Sequence, residues 1–157
     1  MRIPRIYLET SIFNFVFADD SPDKKSDTLI LLDEIKAGKY KAFTSVHVTK
    51  ELDQAPLSKA KKMSELLKKY NVSVLPSNVE IEQLANVYIS EGIIPSKYSS
   101  DALHIAAATV YDLDFITSWN FKHIVKRKTI IMTEVVNARY GYKKIGIYSP
   151  TEVIEND

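Results

Sequence analysis

Short runs of β-branched and aromatic residues alternate along the chain with longer stretches whose apolar positions recur at helical spacing. That alternation predicts an α/β fold, a parallel sheet of about five strands covered by helices. Residues 5–9, 41–45, 71–75, 115–118 and 144–148 read as the strands. The fourth is the most apolar and is expected at the centre of the sheet, where both faces are covered. Residues 28–37 are apolar at Leu29, Leu32 and Ile35 and stop at Gly38, while residues 57–70 set a lysine-rich face opposite Met63, Leu66 and Leu67. Both patterns predict surface helices.

Ser77 with Glu80, and Ser149 with Glu152, have capping-box spacing, in which each side chain satisfies the other residue's backbone N–H. The first pair is expected to open a helix that runs to Gly92. Ser99 and Ser100 precede Asp101, so the helix over residues 101–110 is expected to begin its first turn at the aspartate. Its Ala102, Ala106, Ala107 and Ala108 allow close approach to the sheet and predict a buried central helix. Residues 18–27, acidic and with one proline, form the long irregular stretch and are expected to be a mobile loop.

The 157 residues, 45% of them hydrophobic, suit one domain with one sizeable core. Cysteine is absent, which removes disulfides, thiolate nucleophiles and cysteine-ligated metal sites and fits a reducing cytoplasm. The first residues lack the apolar core of a signal peptide, and no run approaches the roughly 18 apolar residues of a membrane span. A net charge of +1 makes any nucleic-acid surface a local patch rather than a bulk property. No GxxxxGK[ST] or GxGxxG segment is present, which argues against a nucleotide-dependent enzyme. His47, His104 and His123 have no zinc-type spacing, and His104 is expected to be a satisfied structural histidine.

In open parallel sheets the ligand crevice lies beyond the carboxyl ends of the strands. Glu9, Thr10 and Ser11 end the first strand, Glu51 follows the second by about one and a half helical turns, and Trp119 and Asn120 end the fourth. Asp101 opens the helix before that strand. Carboxylates converging on one rim repel and raise one another's pKa, and a divalent cation resolves the conflict. Mg²⁺ and Mn²⁺ suit such a set of hard oxygen donors, and they support phosphodiester hydrolysis. Asp112 and Asp114 precede the fourth strand and fall at the opposite end of the sheet.

The segments YLETSIFN from Tyr7, TSVHVTKEL from Thr44, SSDALHIAAATVYDLDFITSWNFKHI from Ser99 and SPTEVI from Ser149 resemble the PIN-domain family, in particular its VapC-type toxin branch. The resemblance spans nearly the whole chain. It implies a three-layer α/β/α fold, a Mg²⁺- or Mn²⁺-dependent endoribonuclease acting on RNA, and a cognate antitoxin partner; a homodimer is a further expectation. Residue by residue, the family's acidic positions match Glu9, Glu51 and Asp101, and the fourth falls at Asn120. Many members carry aspartate where this chain has Glu9, whose longer arm moves the carboxylate by roughly 1.5 Å. Many carry a further acid at the place of Asn120, although SWNFKHI is similar to a form that part of the family uses.

The resulting assignment makes Glu9, Glu51 and Asp101 metal ligands, with Asn120 as a weaker oxygen donor and Thr10 orienting water or phosphate. The alternative is a binding module that retains the fold and groove but holds metal too weakly to cleave. Individual residues also have plainer roles. Asp101 is a favourable first-turn acid, and Ser11 is a natural cap for a helix over residues 13–17. Lys122, Lys126, Arg127 and Lys128 either hold phosphates or form a solvated helix face. Phe13, Phe15, Val16 and Phe17 fit a core as well as a partner surface.

Overall fold

The computed structural model describes residues 2–154. Five strands, β1 (Arg5–Leu8), β2 (Lys41–Ser45), β3 (Ser73–Leu75), β4 (Phe115–Thr117) and β5 (Gly146–Tyr148), form one parallel sheet in the order β3-β2-β1-β4-β5. Eight α-helices flank it among the described residues: α1 (Thr10–Phe15), α2 (Pro22–Lys36), α3 (Val46–Asp53), α4 (Leu57–Lys69), α5 (Val79–Ser90), α6 (Ser99–Val110), α7 (Arg127–Arg139) and α8 (Pro150–Ile154). A single 3₁₀ turn, Ser96–Tyr98, leads into α6. This is the α/β/α layering expected from the sequence.

The central strand is β1, not β4. Ile6, Tyr7 and Leu8 are three successive residues with no exposed surface, so both faces of β1 are covered. The apolar run of β4 reflects an interior position between β1 and β5, which composition alone does not distinguish from the centre. From β1 the chain builds outward to β2 and β3, then returns to the other flank of β1 for β4 and β5. The connections therefore diverge at the β1/β4 boundary, which opens a crevice at the carboxyl ends of these two strands.

Helix boundaries follow capping chemistry. Gly38 ends α2 as expected: it adopts φ +86°, and its N–H donates to the Ile35 carbonyl while that of Lys39 reaches Glu34. The start of α2 differs, because Pro22 occupies its first turn and the helix takes in most of the predicted mobile loop. Asn78, rather than Ser77, caps α5 by accepting from Ile81 N–H at 2.9 Å. Ser77 instead lies 2.9 Å from Nε2 of His47. The second predicted capping box forms: Ser149 N–H donates to Glu152 Oε1 (2.9 Å), and Glu152 N–H to Ser149 Oγ (3.3 Å). Helix α6 begins two residues before Asp101, and its four alanines are fully buried. The helix packs against α5.

Candidate carboxylate site at the β1/β4 crevice

Glu9 follows directly on β1 and is buried. Its Oε1 accepts from Ser11 Oγ (2.6 Å) and Ser118 Oγ (2.5 Å), while Oε2 makes no hydrogen bond among the described residues. The two serines are themselves fixed by backbone N–H groups, Ser11 Oγ by Trp119 (2.8 Å) and Ser118 Oγ by Asn120 (2.9 Å). The loop after β4 thus clamps the carboxylate at the end of β1. Helix α1 starts at Thr10, with no side-chain cap, so Ser11 is not the predicted helix cap. It is a Glu9-holding residue.

Glu51 reaches the same place from the second turn of α3. Its Oε1 lies 2.7 Å from Nε2 of His104, a fully buried residue of α6. An ionised carboxylate only accepts, so Nε2 carries the proton. Nδ1 of His104 lies 2.7 Å from the Tyr7 hydroxyl, which also contacts Ser45 Oγ at 2.7 Å. His104 is therefore satisfied at both nitrogens, as expected, but one of its partners is a candidate metal ligand. Thr10 Oγ1 lies 3.4 Å from the same Nε2.

Ligand atoms of Glu9, Glu51 and His104 fall within 4.8 Å of one another. Asp101, in the first turn of α6, joins this group electrostatically: burial and then the Glu9 charge push its carboxyl up to about 6, against the pull of His104 and a hydrogen bond from Asn120. Burial would also raise Glu51, but the His104 hydrogen bond and charge, with Thr10 and His47, hold it below the usual carboxylate range. For His104 burial disfavours charge, yet Glu51, Glu9 and Asp101 together hold its pKa above the ordinary imidazole value. Burial keeps the Tyr7 hydroxyl protonated far above its usual range.

Asn120 occupies the bend after β4, where its Oδ1 accepts from His123 N–H at 2.9 Å. That bond holds the carboxamide oxygen on the backbone, and the Asn120 amide lowers the Asp101 pKa. Lys126, Arg127 and Lys128 are exposed where α7 begins. Asp114 lies at the amino end of β4, as expected, where it accepts from Arg5 N–H (2.7 Å) and the Arg2 guanidinium (2.6 Å). Among the phenylalanines, Phe13 is buried and Phe17 exposed.

The donor set fits a hard divalent cation. Glu9, Glu51 and Asp101 offer carboxylate oxygens, and a cation would relieve the repulsion from Glu9 that adds to burial in raising Asp101. Because its Nε2 proton is held against Glu51, His104 orients that carboxylate in the manner of a ligand-supporting group. Ser118, Tyr7 and the bonding role of His104 were not apparent in the sequence. A strand-end polar scan reaches Ser118 but does not distinguish it from a turn serine.

The chain is thus a parallel α/β protein with a carboxylate cluster at its topological switch point. No family model matches it, and no curated protein matches it in sequence. Among solved structures it is similar to the crystal structure of VapBC2 from Rickettsia felis bound to a DNA fragment from their promoter. The TM-score is 0.57 at 14% identity, covering 92% of this chain and 98% of that chain. At that identity the likeness concerns the fold, which has the PIN-like layering expected from the sequence.

Proposed function

We propose that this chain is a Mg²⁺- or Mn²⁺-dependent endoribonuclease of the VapC type. The observation that carries the reading is the convergence of Glu9, Glu51 and His104 at the β1/β4 crevice, their ligand atoms within 4.8 Å of one another, with Asp101 coupled to Glu9 by charge. Glu9, Glu51 and Asp101 would hold the ion, with Asn120 supporting Asp101 and Thr10 at the edge of the cluster. A bound divalent ion supplies charge neutralisation and water activation for phosphodiester hydrolysis.

The chain's own residues preset that site. Ser11 and Ser118 fix one oxygen of Glu9 and leave the other available. His104 holds Glu51 ionised and oriented. In the metal-free protein, burial and the Glu9 charge push Asp101 up to about 6, and a bound cation would favour its ionised form. The Thr10 hydroxyl, near His104 and Glu51, is placed to orient water or a phosphate oxygen.

The structural neighbour is a VapBC2 assembly, and a cognate antitoxin and a homodimer are proposed here on the same footing. No helix among the described residues is long and apolar enough to cross a membrane. We assign the chain to the cytoplasm as one domain. The test is cleavage of a mixed single-stranded RNA pool by wild type with Mn²⁺, by wild type in EDTA, and by Glu51→Gln and Asp101→Asn with Mn²⁺. Only the first is expected to cleave. Wild-type rates in EDTA or in either variant would overturn the metal-site reading.

A further inference from the structure

An aromatic pair adjoins the carboxylate cluster. Tyr98 closes the turn into α6, three residues before Asp101, and His123 lies three residues beyond Asn120. Their rings stack with centroids 4.1 Å apart and planes inclined by 35°. The pair is built onto a neighbour of Asp101: His123 N–H donates to Asn120 Oδ1, and Asn120 is close enough to Asp101 to lower its pKa. Both rings are half-buried, and the Tyr98 hydroxyl makes no hydrogen bond among the described residues.

Two exposed lysines surround the stack. Nζ of Lys122 lies 5.5 Å and that of Lys97 5.9 Å from the Tyr98 ring centre. Lysine stems cover aromatic surface on many proteins, so the cations alone decide nothing. Their combination with a partly open ring pair beside the carboxylate cluster is more specific. Single-stranded nucleic acids are held in this way, with bases on aromatic faces and phosphates on nearby cations. A rigid duplex keeps its bases stacked on one another and cannot use such a surface without unstacking.

We propose that Tyr98 and His123 form a base-stacking platform for single-stranded RNA. It seats the nucleotide adjoining the phosphate at the carboxylate cluster, while Lys97 and Lys122 hold neighbouring phosphates. The proposal deepens the nuclease reading and rests on it. Tyr98 and His123 bind substrate and take no part in bond breaking.

The test compares a fluorescein-labelled single-stranded oligoribonucleotide of mixed sequence with an abasic oligomer of equal length and charge. Binding of both is measured by anisotropy in EDTA. Wild type is expected to favour the base-bearing oligomer by about 5- to 150-fold, the range of one stacked base. Tyr98→Phe keeps the preference, and Tyr98→Leu abolishes it. Melting curves identify folded variants, and His123→Leu provides a second probe of the same stack. Replacing Lys97 and Lys122 by alanine should flatten the log-log salt dependence by roughly 1.4, at about 0.7 per phosphate contact. With Mn²⁺, Tyr98→Leu is expected to raise KM much more than it changes kcat.

A preference retained in folded Tyr98→Leu and His123→Leu overturns the platform, as does a wild type that binds neither oligomer. Mn²⁺-dependent cleavage with a retained preference leaves the nuclease reading standing alone. A Tyr98-dependent preference without cleavage supports the platform and removes the nuclease reading.

Discussion

Replacing Asp101 by asparagine separates stored repulsion from helix capping without needing a substrate. In the metal-free protein the Asp101 carboxyl is raised from 3.8 to about 6, first by burial and then by Glu9. The folded state therefore binds this proton more tightly than the unfolded chain. The associated stability is fully present below pH 3.8 and is lost as pH rises through about 6. At about 1.4 kcal/mol per tenfold change in proton affinity, the ionised group costs the fold ~3 kcal/mol at pH 7.5. Asp101→Asn removes that cost, so in EDTA the variant should melt roughly 6–12 °C above wild type at pH 7.5. The gap should fall to roughly half at pH 5. His104, whose pKa is raised, also contributes stability that is lost as pH rises, whereas the stabilisation from Glu51, whose pKa is lowered, is lost only as pH falls below its unfolded value of 4.5. Both act in each protein, so the difference between the two melting curves chiefly reports Asp101.

Mn²⁺ should close most of that gap. Wild type gains about 2.7 kcal/mol at a metal concentration 100 times its dissociation constant, because the ion binds only the folded site. The variant should gain little. If Asp101 acts only as a first-turn acid, asparagine remains a helix-compatible polar residue but loses a dipole interaction worth about 0.3–1 kcal/mol, and the metal-free melting temperature stays level or falls. Melting curves in EDTA and across a Mn²⁺ titration, at pH 5 and 7.5, decide between them. Equal metal shifts in both proteins would refute the reasoning.

Three further outcomes follow from the same geometry. Ser118→Ala removes a donor to Glu9 and an acceptor for Asn120 N–H, so Mn²⁺ affinity measured by calorimetry should weaken by about 10- to 100-fold; unchanged affinity would free Glu9 from the metal assignment. Tyr7→Phe leaves buried Ser45 and His104 atoms short of a partner, which should cost about 1–3 kcal/mol in urea unfolding. An unchanged midpoint would show that the buried chain of hydrogen bonds is dispensable. Replacing Lys126, Arg127 and Lys128 together should weaken RNA binding and flatten its log-log salt dependence by roughly 2 if each meets one phosphate, whereas an unaltered slope makes the run a solvated surface.

Local chemistry made much of this protein legible in its sequence. Strand runs announce themselves by β-branched and aromatic residues, Gly38 by the left-handed turn that ends α2, and the Ser149–Glu152 box by reciprocal capping within three residues. Polar residues at strand ends pointed to Glu9 and Asn120, and a helical count from β2 to Glu51. Two of the departures are also local: Asn78 displaces Ser77 as cap, and Pro22 begins a helix where a loop is expected. Other features required contacts between distant positions. Nothing near Glu9 reveals that Ser118 will hold its carboxylate, or near Glu51 that His104 will orient it. Placing β1 at the centre brings those partners together, and the burial it imposes makes Asp101 hard to ionise. Residue type supplies the donors, acceptors and charges, but their pairing and desolvation arise only when separate elements pack against one another.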